Sequence, residues 1–300
     1  MRVLGPTSAP AFAPVRLAVT GLYPGLVTLG EGGVEALCGE RPSADLVVGS
    51  ETELLRVSLS ERCTDLRVLF TVSEGLHRIV AKRSSGIESL ADLADKHVLV
   101  MRGSPSHRFL SEMAARVDLT LGDEPGQIHP VFGAGDGNAF ELSPAPDAVA
   151  IREPAAEQAA ESLGQDAVSL ELDGSGNRAY RELVNLHASA LSLEDPAKRR
   201  GIARFVKALS EASIAIGRDE AAAIPLLLEA TGVNAAVLAK SLEHQRFAGT
   251  LVGDVHGVLE DGEAWQAGLE GRGARGPEEL SKLVDWGVYL TALWPEQAWD

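Results

Sequence analysis

Short apolar runs that end in a turn and re-emerge as a helix constrain this chain more than any other feature. The clearest instance is Ser89–Phe109, SLADLADKHVLVMRGSPSHRF. Leu90 and Leu93 mark a short amphipathic helix, Asp95-Lys96 a turn, and His97-Val98-Leu99-Val100-Met101 a buried strand. Arg102-Gly103-Ser104-Pro105-Ser106 then opens a helix from His107 to Val117. A Gly-Ser loop that feeds a helix start leaves backbone N–H groups without helical partners, next to the positive end of the helix dipole. That is a setting for an anion or a carbonyl oxygen. Ser104 or Ser106 suits the cap, and Pro105 suits the first turn.

The same grammar runs through the N-terminal part. Arg2–Leu4, Leu26–Leu29, Ala44–Gly49 and Leu66–Val72 read as strands, Ala11–Val19 and Val34–Cys38 as helices, and His77–Lys82 alternates. Strands and helices in alternation predict a parallel α/β sheet. In open sheets of this kind ligands bind off the C-terminal ends of the strands. The rule selects Pro6, Thr7 and Ser8 after the first strand, Ser50, Glu51 and Thr52 after the third, and Glu74 and Gly75 after the fourth.

Further along, Gln127–Phe132 reads as a strand. The run Gly133–Asn138 that follows lacks the Lys-Ser/Thr of a nucleotide loop and reads as a turn. Asp147–Ile151 is a strand, and Arg152-Glu153-Pro154 leads into a helix from Ala155 to Leu163, ended by Gly164. Ala167–Leu172 is a strand, Asp173–Asn177 a loop, and Leu183–Ala190 a further strand. From Asp195 the pattern is mostly helical. Ile202, Phe205, Val206 and Leu209 share one face, Ala221–Thr231 closes at Gly232, Asn234 caps Ala235–Leu242, and Pro277 starts a last helix through Leu293.

The net charge of −16 over 300 residues argues against nucleic acid as a partner, since phosphate backbones need a basic face. No run of 18 apolar residues exists, so no membrane span is expected. Met1–Phe12 carries no apolar signal-peptide segment. The expected location is therefore extracytoplasmic if a signal was trimmed from this start, and cytoplasmic if this is the native start. Cys38 and Cys63 do not make a disulfide framework and form no C-x-x-C pair. Either is a candidate nucleophile, but neither follows a strand end where a cleft forms. His129, His244 and His256 lack ligand-like spacing, so neither a metal nor a cofactor is expected.

Several side chains carry chemistry. Arg102 and Arg152 both follow strand ends and suit a forked grip on a carboxylate, sulfonate or phosphonate, against the alternative of a surface ion pair. Gly103, Ser104 and Ser106 supply donors beside Arg102. Glu153 is a helix cap or a ligand contact. His77, close in sequence to Ser73 and Glu74, is a candidate for proton transfer, against the reading of a plain strand residue. His187 is a cleft-lining residue or a buried spacer.

Three stretches resemble a known family. Ile87, Ser89, Leu90, Asp92, Leu93, Lys96, Val98 and Val100 are similar to a signature of periplasmic-type solute-binding proteins of the nitrate, sulfonate and taurine importer family, with Asp95 where that signature has Gly. Asp147, Ala148, Glu153, Pro154, Ala159 and Gly164 match a second family pattern in order, and Gly5-Pro6-Thr7-Ser8-Ala9-Pro10 resembles its first loop. The resemblance implies a monomeric two-lobe, type II clamp with a helical C-terminal tail. Lobe one would be residues 1–86 and 186–300, and lobe two residues 87–185. It implies that a small, anionic organic or sulfur-containing molecule is captured in the cleft and handed to an ABC permease if the protein is secreted. Fold relatives also include lyases, dehydratases and desulfinases, so a cytoplasmic enzyme using His77, His187 or Glu74 is the alternative. The cysteine-rich iron motif of the thiamine-pyrimidine synthases is absent from the sequence.

Overall fold

The computed structural model describes residues 1–133, 139–170 and 180–294. Within 134–138 and 171–179 lie most of the expected Gly133–Asn138 turn and the Asp173–Asn177 loop, which are therefore outside the described residues.

The chain opens with β1 (Arg2–Leu4), α1 (Ala13–Leu17), β2 (Thr28–Gly30), β3 (Leu46–Ser50), α2 (Glu51–Val57) and the long β4 (Leu66–Lys82). It continues through β5 (His97–Val100), α3 (Pro105–Ala115), β6 (His129–Phe132), β7 (Ala148–Arg152), α4 (Ala155–Leu163), β8 (Ala167–Leu170) and β9 (Arg181–Ser189). The helical remainder is α5 (Ala190–Glu194), α6 (Pro196–Arg218), α7 (Ile224–Thr231), α8 (Ala235–Leu242), the two-residue β10 (Gln245–Arg246), α9 (Val255–Glu270), α10 (Pro277–Ser281) and α11 (Trp286–Leu293).

These elements form two compact units. Unit one is Met1–Glu74, Leu183–Gly232 and Gln245–Asp300; unit two is Gly75–Glu182 and Val233–His244. The sequence-based division, 1–86 with 186–300 against 87–185, differs in two respects. β4 is a single strand whose first part belongs to unit one and last part to unit two, so no linker marks the change. The segment carrying α8 belongs with unit two, where α8 packs on α4.

In unit one the strands lie in the order β2-β1-β3-β9, with β1 parallel to both β2 and β3, and β9 antiparallel to β3. In unit two the order is β4-β7-β5-β6, with β5 parallel to β6 and β7, and β4 antiparallel to β7 and β8. The expected parallel set is present in each unit, but each sheet is mixed, because β4 and β9 run against it. Unit one buries two apolar clusters. One sets Phe12, Phe70 and Leu186 against Ile202, Phe205, Val206 and Leu209 of α6. The other sets Leu54, Leu55 and Val57 of α2 against Val255 and Leu259 of α9. Unit two buries Ile79, Val98, Val100, Phe109 and Leu110 on one side of its sheet, and Val80, Leu99, Val149 and Ala156 on the other.

Three expectations change. The single C-terminal helix is two, α10 and α11, because the intervening residues pair with β4: Val68 N donates to Leu283 O at 2.6 Å and Asp285 N to Val68 O at 2.9 Å. Asp285 then caps α11 through Val288 N, at 3.0 Å. The N-terminal helix is a short α1 between a 3-10 turn, Pro10–Phe12, and a π turn, Ala18–Leu22. Finally, Cys38 and Cys63 are joined as a disulfide, with Cα atoms 4.8 Å apart. A sulfur held in that bond is not a nucleophilic thiolate, which removes both cysteines from the catalytic candidates.

Candidate functional site

Unit one spends most of its candidate donors internally. The turn after β1 needs Gly5, where a Cβ would lie 2.7 Å from the Phe12 ring and 2.9 Å from Val48 Cβ. Thr7 N donates to Glu31 Oε1 at 3.1 Å, the Thr7 hydroxyl donates to the same oxygen, and Arg16 Nη2 donates to Thr7 O at 2.9 Å. Pro6 is half-buried and Ser8 is exposed. At the end of β3, Ser50 caps α2 by accepting from Glu53 N at 3.1 Å. Glu51 is wholly buried at this helix start, accepting from Leu183 N at 2.9 Å and from Thr52 Oγ1 at 3.0 Å. Gln266 Nε2 donates to Thr52 O at 2.7 Å. A carboxylate of the chain itself therefore occupies the electropositive place that the sequence offers to a ligand anion.

His187 is also fully buried within unit one, on β9 opposite Val47, with Nε2 donating to Gly49 O at 3.1 Å. Burial pushes its pKa down to about 4, only partly offset by the bond to Gly49, so the ring is neutral at physiological pH. Its Nδ1 is buried without a hydrogen-bond partner.

Unit two presents a different arrangement. After β5, Ser104 caps α3 as expected: its Oγ accepts from His107 N at 3.2 Å and donates to Met101 O at 2.6 Å. Gly103 takes a left-handed φ of 69° and donates its N–H to His107 Nδ1 at 3.2 Å. Desolvation, followed by the charge of Arg102, holds His107 below its ordinary pKa. Arg102 is exposed, its guanidinium 5.2 Å from the centre of the Phe132 ring. Arg152, exposed at the end of β7, sits opposite His77 in the antiparallel ladder. β5 and β7 are neighbouring parallel strands; Arg152 is the last residue of β7, and Arg102 lies in the turn two residues past the end of β5.

His77 is buried, with Nδ1 2.9 Å from Ser106 Oγ and Nε2 3.2 Å from Glu182 Oε2. The expected neighbours Ser73 and Glu74 are not these partners. Along β4, Glu74 faces the opposite side from His77, while Ser73 shares its face but lies about 13 Å along the strand; the groups that meet His77 come from α3 and β9 instead. Phe109 and Tyr180 flank the imidazole at centroid distances of 5.8 and 6.0 Å. Burial raises the pKa of Glu182. The hydrogen bond and charge of His77, with Arg152 behind them, more than reverse this and hold the carboxyl below its ordinary range.

Glu153 belongs to a second buried cluster in unit two. Arg78 Nε lies 2.9 Å from Glu153 Oε1, and Arg78 Nη2 lies 2.9 Å from Glu157 Oε2. Glu153 Oε2 accepts from Glu157 N at 3.2 Å, serving the first turn of α4, and from Ser241 Oγ at 3.1 Å. Burial lifts the Glu153 carboxyl above its usual range despite Arg78. Glu153 thus ties α8 to α4 rather than facing outward.

Glu182 and Arg78 were not identifiable as partners from the sequence. Each is a charged residue next to an apolar stretch of its strand, Ile79–Ala81 for Arg78 and Leu183-Val184 for Glu182, and that adjacency is a local signal of a buried ion pair.

The sequence matches no family model and no curated protein. Solved structures do match it. The periplasmic aliphatic sulphonate-binding protein SsuA of Escherichia coli superposes with a TM-score of 0.72 at 19% identity, covering 95% of this chain and 91% of that one. The periplasmic nitrate-binding protein NrtA of Synechocystis PCC 6803 gives 0.73 at 12%, covering 100% and 88%. The desulfurization enzyme DSZB gives 0.68 at 15%, covering 98% and 99%. Likeness of this extent over nearly the whole chain shows that the protein has the two-lobe α/β fold of the periplasmic binding proteins.

Proposed function

We propose that the protein is a solute-binding protein that captures a small, anionic organic or sulfur-containing molecule for an ABC importer. The observation that carries this reading is the pair of exposed guanidiniums, Arg102 just past the end of β5 and Arg152 at the end of its parallel neighbour β7, on a scaffold shared with sulfonate- and nitrate-binding proteins. In a chain of net charge −16, two cations so placed make a local site for a planar or tetrahedral oxyanion. Gly103, in the same turn as Arg102, is the further residue we assign to ligand contact. Thr7, Ser50, Glu51, Thr52, Ser104, Glu153 and His187 are assigned to the scaffold, because each side chain is hydrogen-bonded within the chain. The Cys38–Cys63 disulfide favours an oxidising compartment, and hence the extracytoplasmic location that delivery to a permease requires.

Isothermal titration with short alkanesulfonates, matched carboxylates and nitrate tests the reading, alongside mass spectrometry of whatever co-purifies. Binding by one class, weakened about tenfold or more in Arg152→Ala, is the expected result. If no anion binds and nothing co-purifies, the proposal fails.

A specific observation favours an enzyme as the second reading: His77 is held between a hydroxyl and a carboxylate, on a fold that also serves the desulfurization enzyme DSZB.

A further inference from the structure

We propose that Ser106 is an activated nucleophile that takes up an acyl group from a carboxylic ester, with His77 as its general base and Glu182 positioning the imidazole. The inference does not rest on solute capture and stands on unit two alone. Ser106 Oγ, His77 Nδ1, His77 Nε2 and Glu182 Oε2 form one chain of contacts of 2.9 and 3.2 Å. An ionised carboxylate only accepts hydrogen bonds. In the neutral ring the proton therefore sits on Nε2, facing Glu182. Nδ1 is left as an acceptor, so the Ser106 hydroxyl must donate to it. Nucleophile, base and orienting acid are thereby arranged in the order that acyl transfer requires.

The surroundings fit the role. Phe109 and Tyr180 pack against the imidazole, keeping water from competing for its lone pair. Ser106 lies in the first turn of the eleven-residue α3, whose electropositive end favours negative charge developing at an attacked carbonyl. Ser106 is the most exposed member of the chain of contacts, with 8% of its surface accessible against 5% for His77 and 4% for Glu182. The side chain expected from sequence to donate to a ligand anion thus has its proton committed to His77.

In the reaction, Ser106 Oγ bonds to the ester carbonyl carbon while its proton passes to His77 Nδ1, and the imidazolium formed is stabilised by Glu182. The carbon–oxygen bond to the leaving alcohol breaks with its electron pair on that oxygen, which takes the proton from Nδ1. Water then attacks the acyl carbon, giving its proton to Nδ1. The bond to Oγ breaks, and Ser106 recovers the proton. The balance is ester plus water to acid plus alcohol.

The test treats the full chain with a fluorophosphonate probe and maps the labelled peptide by mass spectrometry, with p-nitrophenyl acetate hydrolysis as a second readout. The wild-type protein should be labelled at Ser106. The labelling rate should fall about a hundredfold in His77→Gln and about tenfold in Glu182→Gln, with Glu182→Asp restoring most of it. Ester hydrolysis should fall in parallel. Wild-type protein left unlabelled at Ser106 under saturating probe overturns the proposal without any variant. So does a folded His77→Gln variant labelled at the wild-type rate. Anion binding is measured separately, so its failure leaves this result standing, and the reverse also holds.

Discussion

Reducing the Cys38–Cys63 disulfide should lower the stability of unit one by an amount that the chain length sets. The bond closes a loop with a sequence separation of 25, running from the 3-10 turn Val34–Leu37 through β3 and α2 to the turn before β4. Opening a loop of that length in the unfolded chain returns about 3.5 kcal/mol of conformational freedom at 25 °C by the chain-entropy relation. Little native packing should be lost on reduction, because both sulfurs stay where they are. Cys63 is buried with Leu66, Val57 and Leu37, so replacing it with Ala would add a cavity cost that reduction avoids. The assay is urea and thermal unfolding with and without reductant, followed by tryptophan fluorescence. Trp265, Trp286 and Trp294, three of the four tryptophans, lie within unit one, the unit that holds the bond, so their signal reports it. The midpoint should fall by about 7–14 °C on reduction, and a Cys38→Ser/Cys63→Ser variant should be indifferent to reductant. Oxidised and reduced protein that unfold together, or two free thiols titrating in native protein from an oxidising compartment, would refute the reasoning.

Two further perturbations test the buried charges. His187 has a folded pKa of about 4 against an ordinary 6.5, so the unfolded chain takes up its proton first as pH falls. Its contribution to stability is complete above pH 6.5 and is lost on going down towards pH 4, amounting to about 2 kcal/mol by pH 5. Urea midpoints measured across that range should therefore drop in the wild type, and drop less in His187→Asn; parallel curves would show that the ring titrates freely. Arg78→Met should cost unit two about 3–5 kcal/mol, because it leaves Glu153 and Glu157 as neighbouring buried carboxylates. Arg78→Met combined with Glu153→Gln should recover part of that loss, and a combination less stable than the single variant would count against the pairing.

What the sequence made legible was set by local chemistry. β3, β5, β7 and α4 fall within about two residues of their expected bounds because each pairs an apolar core with a turn or cap at its end. Ser104, Asn234 and Gly232 act at helix ends as their residue types suggest. α9 was illegible for an equally physical reason. Its buried face mixes Val255 and Leu259 with Glu263 and Gln266, and Gly257, Gly262 and Gly268 lower its helix propensity. What makes that face buriable lies elsewhere in the chain: Arg272 and Arg275 hold Glu263, drawing its carboxyl down to about 2, and Gln266 reaches Thr52. Arg272 and Arg275 lie past the end of the helix, nine and twelve residues from Glu263, and Thr52 is 214 residues from Gln266, so helical periodicity signals none of these pairs.

The site divides along the same line. A strand end followed by a polar helix start is recognisable from sequence, and each unit has at least one. Whether such a start is open to a ligand depends on what the rest of the chain brings to it. At α2 the answer is Glu51, a carboxylate held by Leu183 N from a strand more than a hundred residues away. At α3 it is Ser104 and His77, neither of them anionic, with Arg102 and Arg152 exposed nearby along the sheet. Identical local grammar is therefore completed by a buried carboxylate at α2 and by a serine and a histidine at α3. Anion-binding variants should accordingly concentrate at Arg102, Gly103 and Arg152, whereas substitutions at Glu51 or Thr52 should lower the unfolding midpoint and leave the affinity of the folded fraction unchanged. A Glu51→Gln protein of wild-type stability that has lost anion binding would reverse this assignment.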